Sequence, residues 1–282
     1  MSQTAEHDFS HLPPAAGRLG SAFARPERIA ILCVVVLTAL GWLYLALLTA
    51  QMDGALGALC RPIFGVGERL SVGGVALIAS MWAAMVLAMM LPSAAPMIMT
   101  YAEIADTAAR KGERIVSPFV IAGGYSVVWL GFSLLATLAQ IALTRVALLD
   151  AGMASANLLF SGAIFIAAGL YQFSALKHAC LTQCRQPFPF FFAHWETTAR
   201  GVFRLGLKQG LYCLGCCWAM MLVMFAVGAM NVLWMAALAA VMTVEKIVSG
   251  NRLTYGLGAA LIAIGAAFVM VSFAAHWPMR AI

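Results

Sequence analysis

Charge is what this sequence lacks. Only 10% of its 282 residues are Asp, Glu, Lys or Arg, while 63% are apolar; a soluble globular chain runs nearer 25% and 45–50%. So few charges cannot coat a soluble particle of this size. That excludes an ordinary cytosolic enzyme and a disordered polar chain. Seven cysteines in a chain this long are too sparse for a disulfide-knotted secreted module. No Walker motif, GxGxxG, GxSxG, HExxH or CxxCH is present, so ATP hydrolysis, dinucleotide binding and serine hydrolysis have no support, and no catalytic residue is nominated.

What is present is long apolar runs, with a mean hydropathy of +0.93. A helix needs about 20 apolar residues to cross a bilayer. The runs predict an all-α, polytopic membrane helix bundle of about seven crossings, near 29–51, 72–100, 117–143, 158–176, 208–228, 231–248 and 254–276. The second is interrupted near its end by Pro92 and Pro96. The fifth and sixth share one apolar stretch, broken at Gly228–Asn231 by the turn formers available there. With the N-terminus on one side, 13 of the 17 Lys and Arg residues fall on that side, which the positive-inside rule makes cytoplasmic. This asymmetry also accounts for the net charge of +6, read as contact with the lipid bilayer rather than with nucleic acid. Residues 1–28 read as a disordered cytoplasmic tail and 29–276 as one transmembrane domain. The longest loop, 177–209, is placed on the cytoplasmic side, its second half (Glu196–Gln209) suited to a short amphipathic helix. Trp82-Ala83-x-Met85 is echoed by Trp218-Ala219-x-Met221 in an oppositely directed span, the arrangement an inverted repeat requires.

Five of the seven cysteines lie between residues 180 and 217. Cys213, Cys216 and Cys217 share one helical face at the expected start of the fifth span, and Cys180 and Cys184 share one if their segment is helical. On a cytoplasmic side thiols stay reduced, so such a cluster points to metal or redox chemistry rather than a structural disulfide. Thiolates select soft ions: Cu(I), Zn(II) or an iron–sulfur cluster. The competing reading is that cysteine is a small apolar residue packing a membrane helix, which is the reading for Cys33 and Cys60. The 17 methionines add thioethers. Met81, Met85 and Met89 recur every four residues on span two, and Met220, Met221 and Met224 extend the cysteine face of span five. They serve either as a soft path for Cu(I) or as pliable core filler. Glu245 is read as a ligand, a ligand's partner or a proton site, or else as the partner of a nearby arginine with Lys246 snorkelling. His178 offers a ring nitrogen.

These words together resemble a bacterial family labelled predicted metal-binding integral membrane proteins. The matching words are Trp82-x-x-Met85-x-x-x-Met89-Met90-x-Pro92, Tyr171-Gln172 leading to Lys177-x-x-Cys180-x-x-x-Cys184, His194-Trp195, Gly228-x-Met230-Asn231-x-x-Trp234, Glu245-Lys246 and above all Gly210-Leu211-Tyr212-Cys213-Leu214-Gly215-Cys216-Cys217-Trp218. The likeness spans roughly 29–275, and it implies a membrane protein with a cysteine metal site. The expectation is a multi-pass protein of the cytoplasmic membrane that binds a soft transition metal, copper ahead of zinc, on its inner side. Cys213, Cys216, Cys217, Cys180, Cys184, His178, Glu245 and Met89 are its candidate ligands. It would serve transfer, export or delivery, with a metal-donor or metal-acceptor protein as partner. The rivals are a membrane thiol–disulfide oxidoreductase and a non-catalytic membrane subunit whose cysteines only pack.

Overall fold

The computed structural model describes residues 26–52, 72–113, 115–146, 148–149, 155, 157–229 and 231–276. Cys60 and residues 1–25 of the expected tail lie outside them; residues 26–28 open the first helix. Among the described residues there are nine helices: α1 (Pro26–Met52), α2 (Val72–Arg110), α3 (Pro118–Arg145), α4 (Leu158–Tyr171), α5 (Ala175–Arg185), α6 (Pro187–Ala193), α7 (Ala199–Val227), α8 (Val232–Ile247) and α9 (Arg252–His276). The molecule is an all-α bundle. Five helices (α1, α2, α3, α7 and α9) are long and apolar enough to cross a membrane. A sixth crossing arises if α4 and α5, bent by 64° at their junction, count as one. The remaining expected crossing is α8, whose 16 residues rise only about 24 Å.

Local chemistry sets most helix ends. Ser117, Asn157, Ser174, Thr198 and Asn231 each cap the helix that follows by accepting a backbone N–H with the side chain. Pro118 fills the first position of α3, where no N–H is needed. Between α7 and α8, Gly228 takes φ 97°, a conformation an L side chain rarely adopts.

Two elements depart from the sequence expectation. α2 passes through Pro92 and Pro96 without a break and runs 39 residues, to Arg110. Pro92 has no N–H, so the carbonyl of Ala88 loses its helical donor. The indole Nε1 of Trp42 on α1 donates to that carbonyl at 3.1 Å. Gly41 lets α1 come close enough, since a Cβ there would meet the Ala88 backbone nitrogen at 3.0 Å. The second departure is α7, which begins at Ala199 rather than near 208. The charged stretch holding Arg200, Arg204 and Lys208 is not a separate surface helix but the base of the same rod. The rest of the expected loop is also helical, as α5 and α6.

Glycine contacts set the helix pairing. A Cβ on Gly124 of α3 would strike the Phe203 carbonyl, and one on Gly206 of α7 would strike the Ile121 carbonyl. Their absence lets the two backbones touch, as small residues do between membrane helices. Gly162 and Gly265 pair in the same way between α4 and α9, each a would-be Cβ 2.8 Å from the other's carbonyl. Outward faces carry aliphatic and aromatic side chains such as Leu134, Leu135, Leu138 and Phe273, all more than half exposed; helices able to cross a membrane would need such an apolar exterior.

Candidate functional site

The close α3–α7 contact determines what surrounds Cys213. Tyr125 lies one residue after Gly124, and its hydroxyl sits 3.0 Å from the Cys213 sulfur. Cys213 is placed fourteen residues from either end of α7, about 21 Å along the rod each way. The cysteines were expected in the first turns of this span; they lie at its middle, because the helix extends further back into the charged segment.

Cys213, Cys216 and Cys217 face one way and are buried. Cys184, in the last turn of α5, points at them from the side. Its Sγ lies 3.9 Å from that of Cys216, and the Cys216 and Cys217 sulfurs are 3.3 Å apart. The Cys216 thiol also donates to the Cys213 backbone carbonyl at 3.2 Å. Four thiols from two helices therefore gather at one place, three of them buried and Cys184 partly so. A closed hydrogen-bonded ring borders it. Lys246 Nζ, from the last turn of α8, donates to Cys213 Sγ at 3.0 Å and to Ser93 Oγ at 2.7 Å. Ser93 donates to the Met90 carbonyl at 2.8 Å, and the Tyr125 hydroxyl donates to the same carbonyl at 3.2 Å. The Cys213 S–H is free to point to the tyrosine oxygen; the ring then uses the Ser93, Tyr125 and Cys213 protons and two of the three on Lys246. Five helices (α2, α3, α5, α7 and α8) contribute to this site.

Other nominated residues stand elsewhere. Cys180 is buried but packs on Gly215, where a Cβ would lie 2.6 Å from its sulfur. It is one turn back along α5 from the cluster. Glu245 faces away from the thiols: its Oε2 accepts the Lys177 ammonium at 2.8 Å, with both side chains at most 2% exposed. Its backbone carbonyl accepts Arg185 Nε at 2.9 Å. The expected arginine partner is thus present, but it holds the main chain, and a lysine counted only as a loop charge takes the carboxylate. His178 packs edge-on against the Tyr255 ring, centroids 5.1 Å apart, with both ring nitrogens buried and without a hydrogen-bond partner. Met89 is buried on α2, one residue before the carbonyl that completes the ring.

Sequence reasoning missed Lys246, Tyr125 and Ser93 at the sulfur cluster. Lys246 was placed near the level of the cysteines, with snorkelling as one of its readings and no role at the sulfur, and no spacing rule connects residues 93, 125 and 213. Among the described residues, no group of three or more His, Cys, Asp or Glu side chains is arranged to hold a metal ion. The distances explain why. With metal–sulfur bonds of about 2.3 Å, sulfurs around one ion sit roughly 3.8–4.0 Å apart in four- or three-coordinate geometry. The Cys184–Cys216 separation of 3.9 Å matches such an edge, whereas Cys216 and Cys217 at 3.3 Å are too close and bond to one another instead.

A sequence model of the PpoB2 family, described as copper chaperones, matches residues 79–268. The chain belongs to the PpoB2 copper chaperone family. The matched region includes every residue of the thiol cluster and its hydrogen-bonded ring. No curated protein and no solved structure matches the chain. Membership supports an association with copper and a role in metal handling.

Proposed function

We propose that this PpoB2 relative is a multi-pass protein of the cytoplasmic membrane that carries copper(I) on Cys184, Cys213, Cys216 and Cys217 and passes it to a protein partner. In this reading the N-terminus and the charged base of α7 are cytoplasmic, the side on which 13 of the 17 basic residues fall. Copper is the cargo. The observation that carries the proposal is the convergence of four thiols from α5 and α7 beside the Lys246 ammonium. Thiolates suit a soft ion. Copper(I) bound by two or three of them carries a net negative charge, which an adjacent ammonium offsets. Glu245 serves the site indirectly: with Lys177 and Arg185 it ties α5, and hence Cys184, to α8. Cys180 backs the cluster through its contact with Gly215.

The test is elemental analysis of protein purified anaerobically with copper and reductant. The wild type is expected to retain copper, and the Cys213→Ser/Cys216→Ser/Cys217→Ser variant to lose it. Unchanged copper in that variant refutes the proposal. A second reading, thiol–disulfide exchange, draws on the same 3.9 Å separation of Cys184 and Cys216. It requires a reversible bridge, which thiol alkylation before and after a mild oxidant would reveal.

A further inference from the structure

Methionine is distributed unevenly in this bundle. On α2, Met81, Met85, Met89 and Met90 are each at most 1% exposed; so are Met220, Met221 and Met224 on α7, and Met235 and Met242 on α8. The outward positions of α7 and α8 carry other apolar types: Leu211, Trp218, Leu233 and Trp234 are all exposed. The thioethers thus point inward while aliphatic and aromatic groups meet the surroundings.

Three contacts set the register. The Tyr125 hydroxyl bridges the Met90 carbonyl and Cys213, which puts these parts of α2 and α7 level. Lys246 reaches Cys213 and Ser93, which adds the end of α8 to the same level. At the other end the Trp82 and Phe225 rings meet, centroids 5.2 Å apart. Moving from Cys213 to Phe225 therefore means moving backwards along α2 from Met90 to Trp82. α8 follows the same sense, because it turns back on α7 through Gly228. All three rows of methionine consequently extend from the thiol cluster in one direction. Met90 and Met242 lie nearest the thiols, with Met220 turned toward the end of α4, where its sulfur accepts Gln172 Nε2 at 3.0 Å; Met85, Met224 and Met235 lie farther along. Met235 is eleven residues from Lys246, about 16 Å along the helix.

We infer that these inward-facing thioethers form a relay along which copper(I) leaves the thiol cluster through the α2–α7–α8 core toward the Trp82–Phe225 level. This rests on the copper(I) reading above and adds a route to it. A thioether is soft, neutral and carries no proton to displace, so it binds copper(I) more weakly than a thiolate and without proton release; the ion's positive charge travels with it, and the charge left on the thiolates faces the Lys246 ammonium. Several weak, closely spaced sites are what passage requires: strong enough to enter, weak enough to leave. No electron moves and no bond within the protein breaks; the ion exchanges sulfur ligands and keeps its +1 charge. Copper(I) supplied on one side then becomes available on the other.

Methionine-to-leucine replacement separates this from simple core filling, since it keeps volume and apolar character and is well tolerated in packed cores. The full-length protein would be reconstituted in lipid vesicles holding a copper(I)-specific chromogenic chelator, with copper(I) and reductant added outside. Wild type is expected to colour the lumen. Met85→Leu/Met224→Leu/Met235→Leu is expected to retain wild-type copper stoichiometry in detergent while its rate into the lumen falls at least tenfold. The double variant Met224→Leu/Met235→Leu carries the same expectation should the triple variant fail to fold. Wild-type rates in both variants overturn the relay, as does a wild type that leaves the lumen uncoloured. Neither outcome bears on the thiol cluster, whose own failure would appear as copper retained by the serine variant.

Discussion

Replacing Glu245 with glutamine leaves the Lys177 ammonium buried with no carboxylate to face. The pair is 2.8 Å apart, and the side chains are 0% and 2% exposed. Its attraction is about 6 kcal/mol at an effective dielectric of 20, opposed by several kcal/mol of desolvation for each ion. The intact pair therefore nets little, but a lone buried charge has nothing to offset its desolvation. Breaking such a pair from one side costs about 3–5 kcal/mol, whereas replacing both members with apolar groups is close to neutral. Glu245→Gln and Lys177→Met should each lower the thermal midpoint in a fixed detergent by roughly 6–20 °C, at about 2–4 °C per kcal/mol. Lys177→Met/Glu245→Leu should recover most of that loss. Because the pair ties α5 to α8, Cys184 should be alkylated faster in the single variants than in the double. A Glu245→Gln protein with an unchanged midpoint would refute the reasoning. Loss of copper at an unchanged midpoint would make Glu245 a ligand after all.

Lys246→Met removes the charge-assisted contact to Cys213, worth about 1.5–3 kcal/mol; the copper(I) affinity measured by chelator competition should fall by roughly 10- to 100-fold, and equal or tighter binding would rule out charge compensation. Gly206→Ala sets a Cβ against the Ile121 carbonyl and should cost at least about 1–3 kcal/mol, seen as a lowered unfolding midpoint. Trp42→Phe strips the Ala88 carbonyl of its indole donor at about 1–3 kcal/mol. In a Pro92→Ala background that cost should shrink, because the restored N–H at position 92 serves the same carbonyl; equal costs in both backgrounds would show that the bond is not a proline repair.

How far the site was legible depended on sequence distance. Cys213, Cys216 and Cys217 share a face through helical spacing alone, and the structure keeps them together. Gly228 and Asn231 mark the α7–α8 turn through residue chemistry that acts over four positions. Cys184 was named, but its meeting with Cys216 needed the 64° bend between α4 and α5, which no local pattern encodes. Cys180, one turn away on the same helix, turned to Gly215 instead. Lys246 and Glu245 are neighbours in sequence with opposite fates: one meets sulfur, the other meets Lys177, since successive residues on a helix point about 100° apart.

The sequence by itself determined the all-α class, the apolar runs and the soft-ligand chemistry, because composition and short-range periodicity act through burial and helix geometry within a single segment. Which faces meet was decided only in three dimensions. Gly124 and Gly206 let α3 and α7 touch and deliver Tyr125 to Cys213. The turn at Gly228 returns α8 so that Lys246 arrives at the same sulfur. Those contacts to Cys213 join residues 88 and 33 positions apart. Backbone approach and packing set them together, and no one-dimensional spacing carries that information.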